Sequence, residues 1–221
     1  MDKEMILKSH LAIWDKLTQE ERKMIIDGSV INKFEKSTMV YKNESNCKGI
    51  MIILSGQLRV YLMSDEGREV TLYRINKNEM CILSASCLMD SIIFDVYIDA
   101  VDNTEVLLIP SALLHKIIAK NIYFELYLQK KANERFSDVM WTIQQILFTK
   151  IDKRIAIFLW DEMIKANSNV LQYTQEEIAK YIGSAREVVS RILKYFIEDG
   201  IVKVARGKIE IIDKNKLKKL I

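Results

Sequence analysis

Histidine, cysteine and proline are all scarce in this chain. Its 221 residues include two histidines, three cysteines and a single proline. Metal-dependent enzymes usually hold their ion with two or three histidines and a carboxylate at close spacing, and no H-x-H pair is present. Three cysteines are also too few for a four-cysteine iron–sulfur cluster. The scarcity therefore argues against the common metal-based functions.

Motifs of other enzyme classes are missing as well. The sequence has no Gly-rich phosphate loop, no nucleophile elbow and no zinc-type cysteine spacing. It has no secretory signal and no apolar run long enough to cross a membrane. We therefore expect a protein that is not an enzyme, with no membrane partner, in the reducing cytoplasm.

The most informative segment is Thr174–Glu198. It contains two helical patterns joined by a short turn with a glycine, and Gly183 suits a turn that needs a positive φ angle. Thr174 and Glu177 have the spacing of a capping box at the start of the first helix. This layout predicts a helix-turn-helix whose second helix enters a DNA major groove.

The second helix has a polar face opposite its apolar one. An arginine can donate two hydrogen bonds to guanine, and a glutamate can accept one from cytosine. We therefore predict as base-reading residues Arg186, Glu187, Ser190 and Arg191. Two other interpretations stay open: Ser184 with Glu187 also fits a capping box, and Glu187 could pair with Arg191 on a solvated face.

Two short strand patterns follow the second helix. Ile201–Ala205 and Ile209–Ile212 flank the turn Arg206-Gly207-Lys208, which predicts a wing with Arg206 and Lys208 at its tip. Cationic side chains at that tip suit phosphate contacts.

The charge distribution supports a polyanionic partner. From Lys150 onward the chain carries 15 basic and 10 acidic side chains, so this third is basic although the whole chain is only +3. The phosphate-contacting residues predicted for this region are Thr174, Gln175, Ser184, Arg206 and Lys208.

The stretch G-S-A-R-E-V-V-S-R-I-L-K, followed by a wing, resembles the DNA-binding domain of the Crp/Fnr superfamily of bacterial transcription regulators. The family pattern is G-x-S/T-R-E-T-V-x-R-x-L, and the matching positions are Gly183, Arg186, Glu187, Val189, Arg191 and Leu193. Ala185 and Val188 depart from it, which is expected to remove phosphate contacts and leave base readout intact. The resemblance implies that Arg186, Glu187 and Arg191 read bases, with Ser190 at a position that the Fnr branch also uses.

The region from residue 1 to about Pro110 has a different sequence pattern. A short helical lead-in covers residues 1–30, and strand patterns with turn signals between them continue to about Pro110. The predicted strands are Val40–Tyr41, Gly49–Leu54, Gln57–Met63, Val70–Ile75 and Val96–Ala100. The run from Ile53 to Val60 resembles the hairpin of the family's cyclic-nucleotide-binding-like β-roll.

The segment that would bind an effector departs from the family. Its cyclic-nucleotide binders carry a Gly-Glu cassette and a later arginine that pairs with the cyclic phosphate. This chain keeps a glutamate, but the arginine position falls near Phe94-Asp95, where an acidic group would oppose a phosphate. Cyclic AMP is therefore not expected. The predicted pocket residues are Glu79, Cys81, Leu83, Ser84, Cys87 and Phe94.

Cysteine chemistry leaves alternatives open. Cys81 and Cys87 could form a redox pair across a Ser-rich segment, or both could be small buried apolar residues. The iron–sulfur site of the Fnr type is excluded, because its N-terminal cysteine cluster is missing. Haem held by His10 or His115 is a further option, and no cofactor is predicted.

A helical pattern runs from Ser111 to Asn167 with a break at Asn121. Apolar residues at 136, 140, 143 and 147 have coiled-coil-like spacing, which favours a dimer over packing against the β-roll alone. The predicted dimer residues are Leu128, Phe136, Val139, Met140, Ile143 and Leu147. The predicted domains are residues 1–120 for the effector, 121–148 for the dimerisation helix and 149–221 for DNA binding.

These patterns predict an α+β fold in three parts: an N-terminal antiparallel β-roll (a double-stranded β-helix), a long dimerisation helix and a C-terminal winged helix-turn-helix. The predicted function is that of a homodimeric regulator on a pseudo-palindromic operator in double-stranded DNA, gated by a small molecule or a redox signal. RNA polymerase would be a further partner of an activator. The alternatives are a cyclic-nucleotide-responsive regulator and a constitutive DNA binder with a vestigial pocket.

Overall fold

A computed structural model describes residues 2–42, 48–82 and 96–221. The chain divides into two compact units. The first consists of Met1–Leu62 and Leu72–Met140, and the second of Met63–Thr71 and Trp141–Ile221. Each unit has an apolar core of its own.

The first unit opens with short helices, as the sequence predicts. They are α1 (Lys3–His10), a 3₁₀ turn (Trp14–Lys16) and α2 (Gln19–Gly28). Thr18 and Glu21 form a capping box at the start of α2, because each side chain accepts a hydrogen bond from the other's backbone amide.

Eight strands of the described residues follow in two antiparallel sheets. They are β1 (Val30–Phe34), β2 (Met39–Lys42), β3 (Gly49–Ser55), β4 (Gln57–Met63), β5 (Glu69–Asn76), β6 (Met80–Cys81), β7 (Tyr97–Ala100) and β8 (Thr104–Pro110). The sheet orders are β1-β8-β3-β6 and β2-β7-β4-β5, so the chain passes repeatedly from one sheet to the other. The predicted β-roll is confirmed, and β1, β6 and β8 are strands that were not predicted.

A buried ion pair joins two strands of the second sheet. Arg59 of β4 lies opposite Asp99 of β7, and its Nε and Nη2 donate to the two carboxylate oxygens over 3.0 and 2.5 Å. The guanidinium carbon lies 4.1 Å from the centre of the Tyr61 ring, which stacks on Tyr97. Strand register thus places a charged pair and an aromatic pair side by side on one face.

Two helices complete the strand region, namely α3 (Ser111–Ile118) and α4 (Ile122–Phe148). Asn121 separates them: its Oδ1 accepts hydrogen bonds from the backbone amides of Tyr123 and Phe124, which confirms the predicted break. The boundary between the two units falls within α4, between Met140 and Trp141, whereas the predicted domain limits lie at the ends of this helix.

The second unit contains a helix-turn-helix with a wing. Its elements are α5 (Ile151–Ala166), β9 (Val170–Leu171), α6 (Gln175–Ile182), α7 (Arg186–Glu198), β10 (Val202–Ala205), β11 (Lys208–Ile211) and α8 (Lys214–Lys219). The strands form one sheet in the order β10-β11-β9. The predicted winged fold is confirmed. The basic tail is a helix that was not predicted, capped by the Asp213 carboxylate and anchored by buried Leu217.

Within the three described ranges, no helix combines the length and the apolar character needed to cross a membrane.

Candidate nucleic-acid interface

The first helix of the motif begins with a complete capping box. The Glu177 amide donates to Thr174 Oγ1 over 3.1 Å, and the Thr174 amide donates to Glu177 Oε2 over 2.7 Å. The helix then buries Ile178, Ala179 and Ile182 in the core of the second unit. The predicted cap is confirmed, and it determines where α6 starts.

The turn depends on Gly183. Its φ of +64° and ψ of +49° are left-handed, a conformation that L residues with a β-carbon rarely adopt. Its amide and that of Ser184 both donate to the carbonyl of Ala179, which closes the end of α6. The expectation of a positive φ angle at this glycine is confirmed.

The recognition helix starts without a side-chain cap. Ala185 is the N-cap residue of α7 and makes no capping hydrogen bond, so the proposed Ser184–Glu187 capping box is wrong. In the described part of the chain, Glu187 forms no ion pair with Arg191 either. The physical reason is that the chain enters α7 one residue later than a serine cap requires. The Glu187 carboxylate is therefore left exposed to solvent.

The predicted base readers share one exposed face. At about 100° per residue, Arg186, Glu187, Ser190 and Arg191 fall within an arc of roughly 140°. All four side chains are exposed, whereas Val189, Leu193 and Phe196 are buried on the other side of α7. Among residues that the structure describes, these four side chains make no hydrogen bond or ion pair. The face thus offers two guanidinium groups, a carboxylate and a hydroxyl to a ligand.

The wing is a tight hairpin. Ala205 pairs with Lys208, so only Arg206 and Gly207 form the turn, and Gly207 has a φ of +69°. Arg206 and Lys208 are exposed at this turn, and their phosphate contacts stay predictions. Thr174 and Gln175 lie at the start of α6 and Ser184 in the turn, and their phosphate contacts stay predictions.

The predicted effector pocket is described only in part. Leu83, Ser84, Cys87 and Phe94 lie outside the described residues. Glu79 lies in the turn between β5 and β6, where its Oε2 accepts a 2.8 Å hydrogen bond from the Asn76 amide.

Cys81 is fully buried in β6 and pairs with Met51 of β3. The structure thus gives Glu79 a role in a turn and Cys81 a place in a strand. Their roles in an effector pocket stay predictions.

Two residues near this region were missed by sequence reasoning. The Tyr73 hydroxyl is buried without a hydrogen-bond partner in the described ranges, and burial, with the nearby Cys81 thiol, raises the pKa of Tyr73. The Arg135 guanidinium of α4 lies 5.1 Å from the Tyr73 ring centre and 3.0 Å from Asp138. Strand alternation could have suggested an inward Tyr73, but no local pattern brings Arg135 to it.

An open groove lies elsewhere on the first unit. It has a volume of about 650 Å³ and includes none of the predicted pocket residues. Its lining comes from the ends of β1, β3 and β8 and consists of Lys33, Phe34, Glu35, Lys36, Ser55, Asn103, Thr104 and Glu105.

Known proteins resemble both parts of the chain. A Crp-like helix-turn-helix domain matches residues 153–220, and a cyclic nucleotide-binding domain matches residues 31–121. The crystal structure of a Crp/Fnr-family protein from Eubacterium rectale ATCC 33656 is 41% identical, with a TM-score of 0.92. That match covers 96% of this chain and 98% of the other.

Curated relatives are more distant. The transcriptional activator protein FnrA of Stutzerimonas stutzeri is 24% identical, over 81% of this chain and 75% of the relative. The cAMP-activated global transcriptional regulator Vfr of Pseudomonas aeruginosa is 22% identical, over 80% of this chain and 86% of the relative.

The β-roll and the winged helix-turn-helix with its exposed polar face define a DNA-binding transcription regulator that carries a cyclic-nucleotide-binding-like domain. The chain belongs to the Crp/Fnr family. Its relatives are transcription regulators, and they include both Fnr-like and cAMP-activated proteins, so the family leaves the signal unspecified.

Proposed function

We propose that this regulator binds a pseudo-palindromic operator as a homodimer and reads base edges with Arg186, Glu187, Ser190 and Arg191. The exposed face of α7 carries this proposal, since its four polar side chains make no hydrogen bond or ion pair within the described protein. Buried or paired side chains would have to leave their partners before touching a base. These four can bind without that loss.

An exposed apolar face of α4 supports the dimer. This helix has 27 residues and is about 40 Å long. Phe136, Met140 and Leu147 are 61%, 46% and 68% exposed, with half-buried Ile143 on the same side. A second copy of the helix would cover this stripe, which fits the spacing of four, three and four residues.

The proposed dimer face differs from the sequence prediction at two positions. Leu128 is 5% exposed and packs in the core of the first unit, and Val139 is 9% exposed within the protomer. We exclude both residues from the proposed interface, because a side chain that is already buried within its own protomer has little apolar surface left to bury against a partner. Trp141 and Phe148 are exposed apolar residues of α4 that the prediction missed.

We expect Phe136→Glu and Leu147→Glu each to raise the dimer dissociation constant more than tenfold. Two copies would bring the new carboxylates into an apolar seam, where burial without a partner costs several kcal/mol. Sedimentation velocity over a concentration series measures the change. Ser137→Glu is the matched control, since this exposed neighbour lies about 100° away around the helix. A monomeric wild type, or glutamate variants that dimerise normally, would contradict the proposed face.

Selection of binding sites from random DNA tests the proposed reader. The recovered sites should be inverted repeats with half-site centres about 34–36 Å apart, because a two-fold dimer presents its recognition helices to successive major grooves. A 5-base-pair insertion between half-sites should abolish selective binding, since it turns the second half-site to the opposite side of the duplex. Recovery of direct repeats or of no common sequence would contradict the proposal.

The same assay addresses the signal. We propose a small molecule or a thiol redox change acting through the β-roll, and we do not expect cyclic AMP to change operator affinity. Cyclic AMP, cyclic GMP, oxidant and reductant are added separately, and mass spectrometry of the protein from its own host searches for a bound ligand. A response to either nucleotide identifies a cyclic-nucleotide-responsive regulator. A protein that responds to none of them and carries no ligand is a constitutive binder with a vestigial pocket.

If this regulator proves to be an activator, RNA polymerase is its further proposed partner. The cytoplasm is its proposed location.

A further inference from the structure

A nine-residue segment far from the helix-turn-helix in sequence belongs to the same compact unit. It comprises residues 63–71, the end of β4, the following turn and the start of β5, and is called the strap below. We infer that the strap is a positioning part of the DNA reader, holding the turn from which α7 begins. The inference rests on the proposed reading role of α7.

The strap supplies hydrogen bonds to the end of α6. Arg68 Nη2 donates to the carbonyl of Gly183 over 2.8 Å, and Thr71 Oγ1 donates to the carbonyl of Lys180 over 3.0 Å. The last carbonyls of a helix have no partner within the helix itself. Two of these acceptors are therefore satisfied by side chains more than 100 residues away in the chain.

A charge pair and an apolar contact add to this attachment. Lys180 Nζ lies 2.9 Å from Glu69 Oε1, and the Glu69 side chain is mostly buried. A β-carbon placed on Gly183 would lie 3.1 Å from both methyl groups of Val70. Gly183 is thus needed for its positive φ angle and also for the space that Val70 fills.

These contacts act close to the base readers. Only Ser184 and Ala185 lie between Gly183 and Arg186, and α7 has no side-chain cap of its own. The direction of the turn therefore sets the direction of the recognition helix. Base-reading side chains need placement within about half an ångström, which loose backbone at this turn would not maintain.

A charge exchange tests the strap. Glu69→Lys and Lys180→Glu each place like charges about 3 Å apart, whereas the double variant restores the pair with the wild-type net charge. Each single variant should lower the ratio of operator affinity to random-DNA affinity at least about threefold, and the double variant should recover it to within about twofold. Affinities are measured at matched salt. Thr71→Val is a second, nearly isosteric variant that removes only the hydroxyl donor to Lys180, and it should also lower the ratio.

Circular dichroism and sedimentation confirm that each variant is folded and dimeric. Single variants with an unchanged ratio, or a double variant that fails to recover, would overturn the inference. Arg186→Ala is measured in parallel. A loss of operator preference there, with unchanged strap variants, overturns the strap alone. Absence of operator preference in the wild type overturns the proposed function and the strap inference together.

Discussion

Arg186→Ala and Arg191→Ala are each expected to lower operator affinity about 5-fold to 150-fold while affinity for random DNA changes little. The reason is that a good arginine–guanine contact discriminates by about 1–3 kcal/mol against a wrong base. Both side chains are exposed and make no hydrogen bond or ion pair within the described protein, so truncation removes no internal polar interaction. Mobility shift or fluorescence anisotropy with operator and scrambled duplexes measures the ratio.

Arg206→Ala at the wing tip is the informative comparison. It should weaken operator and random DNA alike and lower the slope of log affinity against log salt by about one, because a phosphate contact carries no sequence information. Arg186→Ala variants that retain the full operator preference, with an intact dimer, would exclude the base-reading assignment. If Arg206→Ala lost the preference for operator DNA and Arg186→Ala kept it, base recognition would be assigned to the wing.

The helix-turn-helix could be predicted from sequence because its determinants are local. A capping box at Thr174 and Glu177, a glycine where φ must be positive, and apolar spacing along α7 all lie within 25 residues, and the structure confirms each of them. The N-cap residue of α7 was harder to predict from the sequence. Ser184 and Glu187 have the right spacing, but the chain enters the helix at Ala185, and spacing alone does not reveal backbone angles at the turn.

The β-roll was predicted as a class rather than in detail. Strand patterns located β2, β3, β4, β5 and β7 to within one or two residues, since each combines apolar content with turn signals. The pairing order β1-β8-β3-β6 joins strands up to about 75 residues apart, and no local pattern specifies such partners. The same limit hid the strap, because Arg68 and Gly183 meet only through tertiary structure.

The proposed dimer face shows a different limit of sequence-based prediction. Apolar spacing along α4 identified a stripe but could not divide it between the protomer's own core and a partner. Leu128 packs inward, whereas Phe136 and Leu147 face solvent. Apolar periodicity indicates which side chains of a helix are to be buried. Only the folded protomer shows which of these side chains remain exposed and are therefore available to a partner.

Asp99→Ala is expected to lower the free energy of unfolding by about 3–5 kcal/mol. The Arg59 and Asp99 side chains are 7% and 19% exposed, and the carboxylate takes two hydrogen bonds from the guanidinium. Removal of the carboxylate takes an ion-pair partner from a buried guanidinium, and this penalty exceeds the net value of the intact pair. For a chain of this size the loss corresponds to a fall in Tm of about 6–20 °C. Urea titration followed by circular dichroism gives the free energy.

Glu105→Ala is the matched control. Glu105 also faces its partner across two antiparallel strands, but Lys33 is 80% exposed and their atoms are 3.7 Å apart, so the expected loss is under about 1 kcal/mol. If Asp99→Ala and Glu105→Ala lowered the free energy of unfolding equally, burial of the Arg59–Asp99 pair would add nothing to stability.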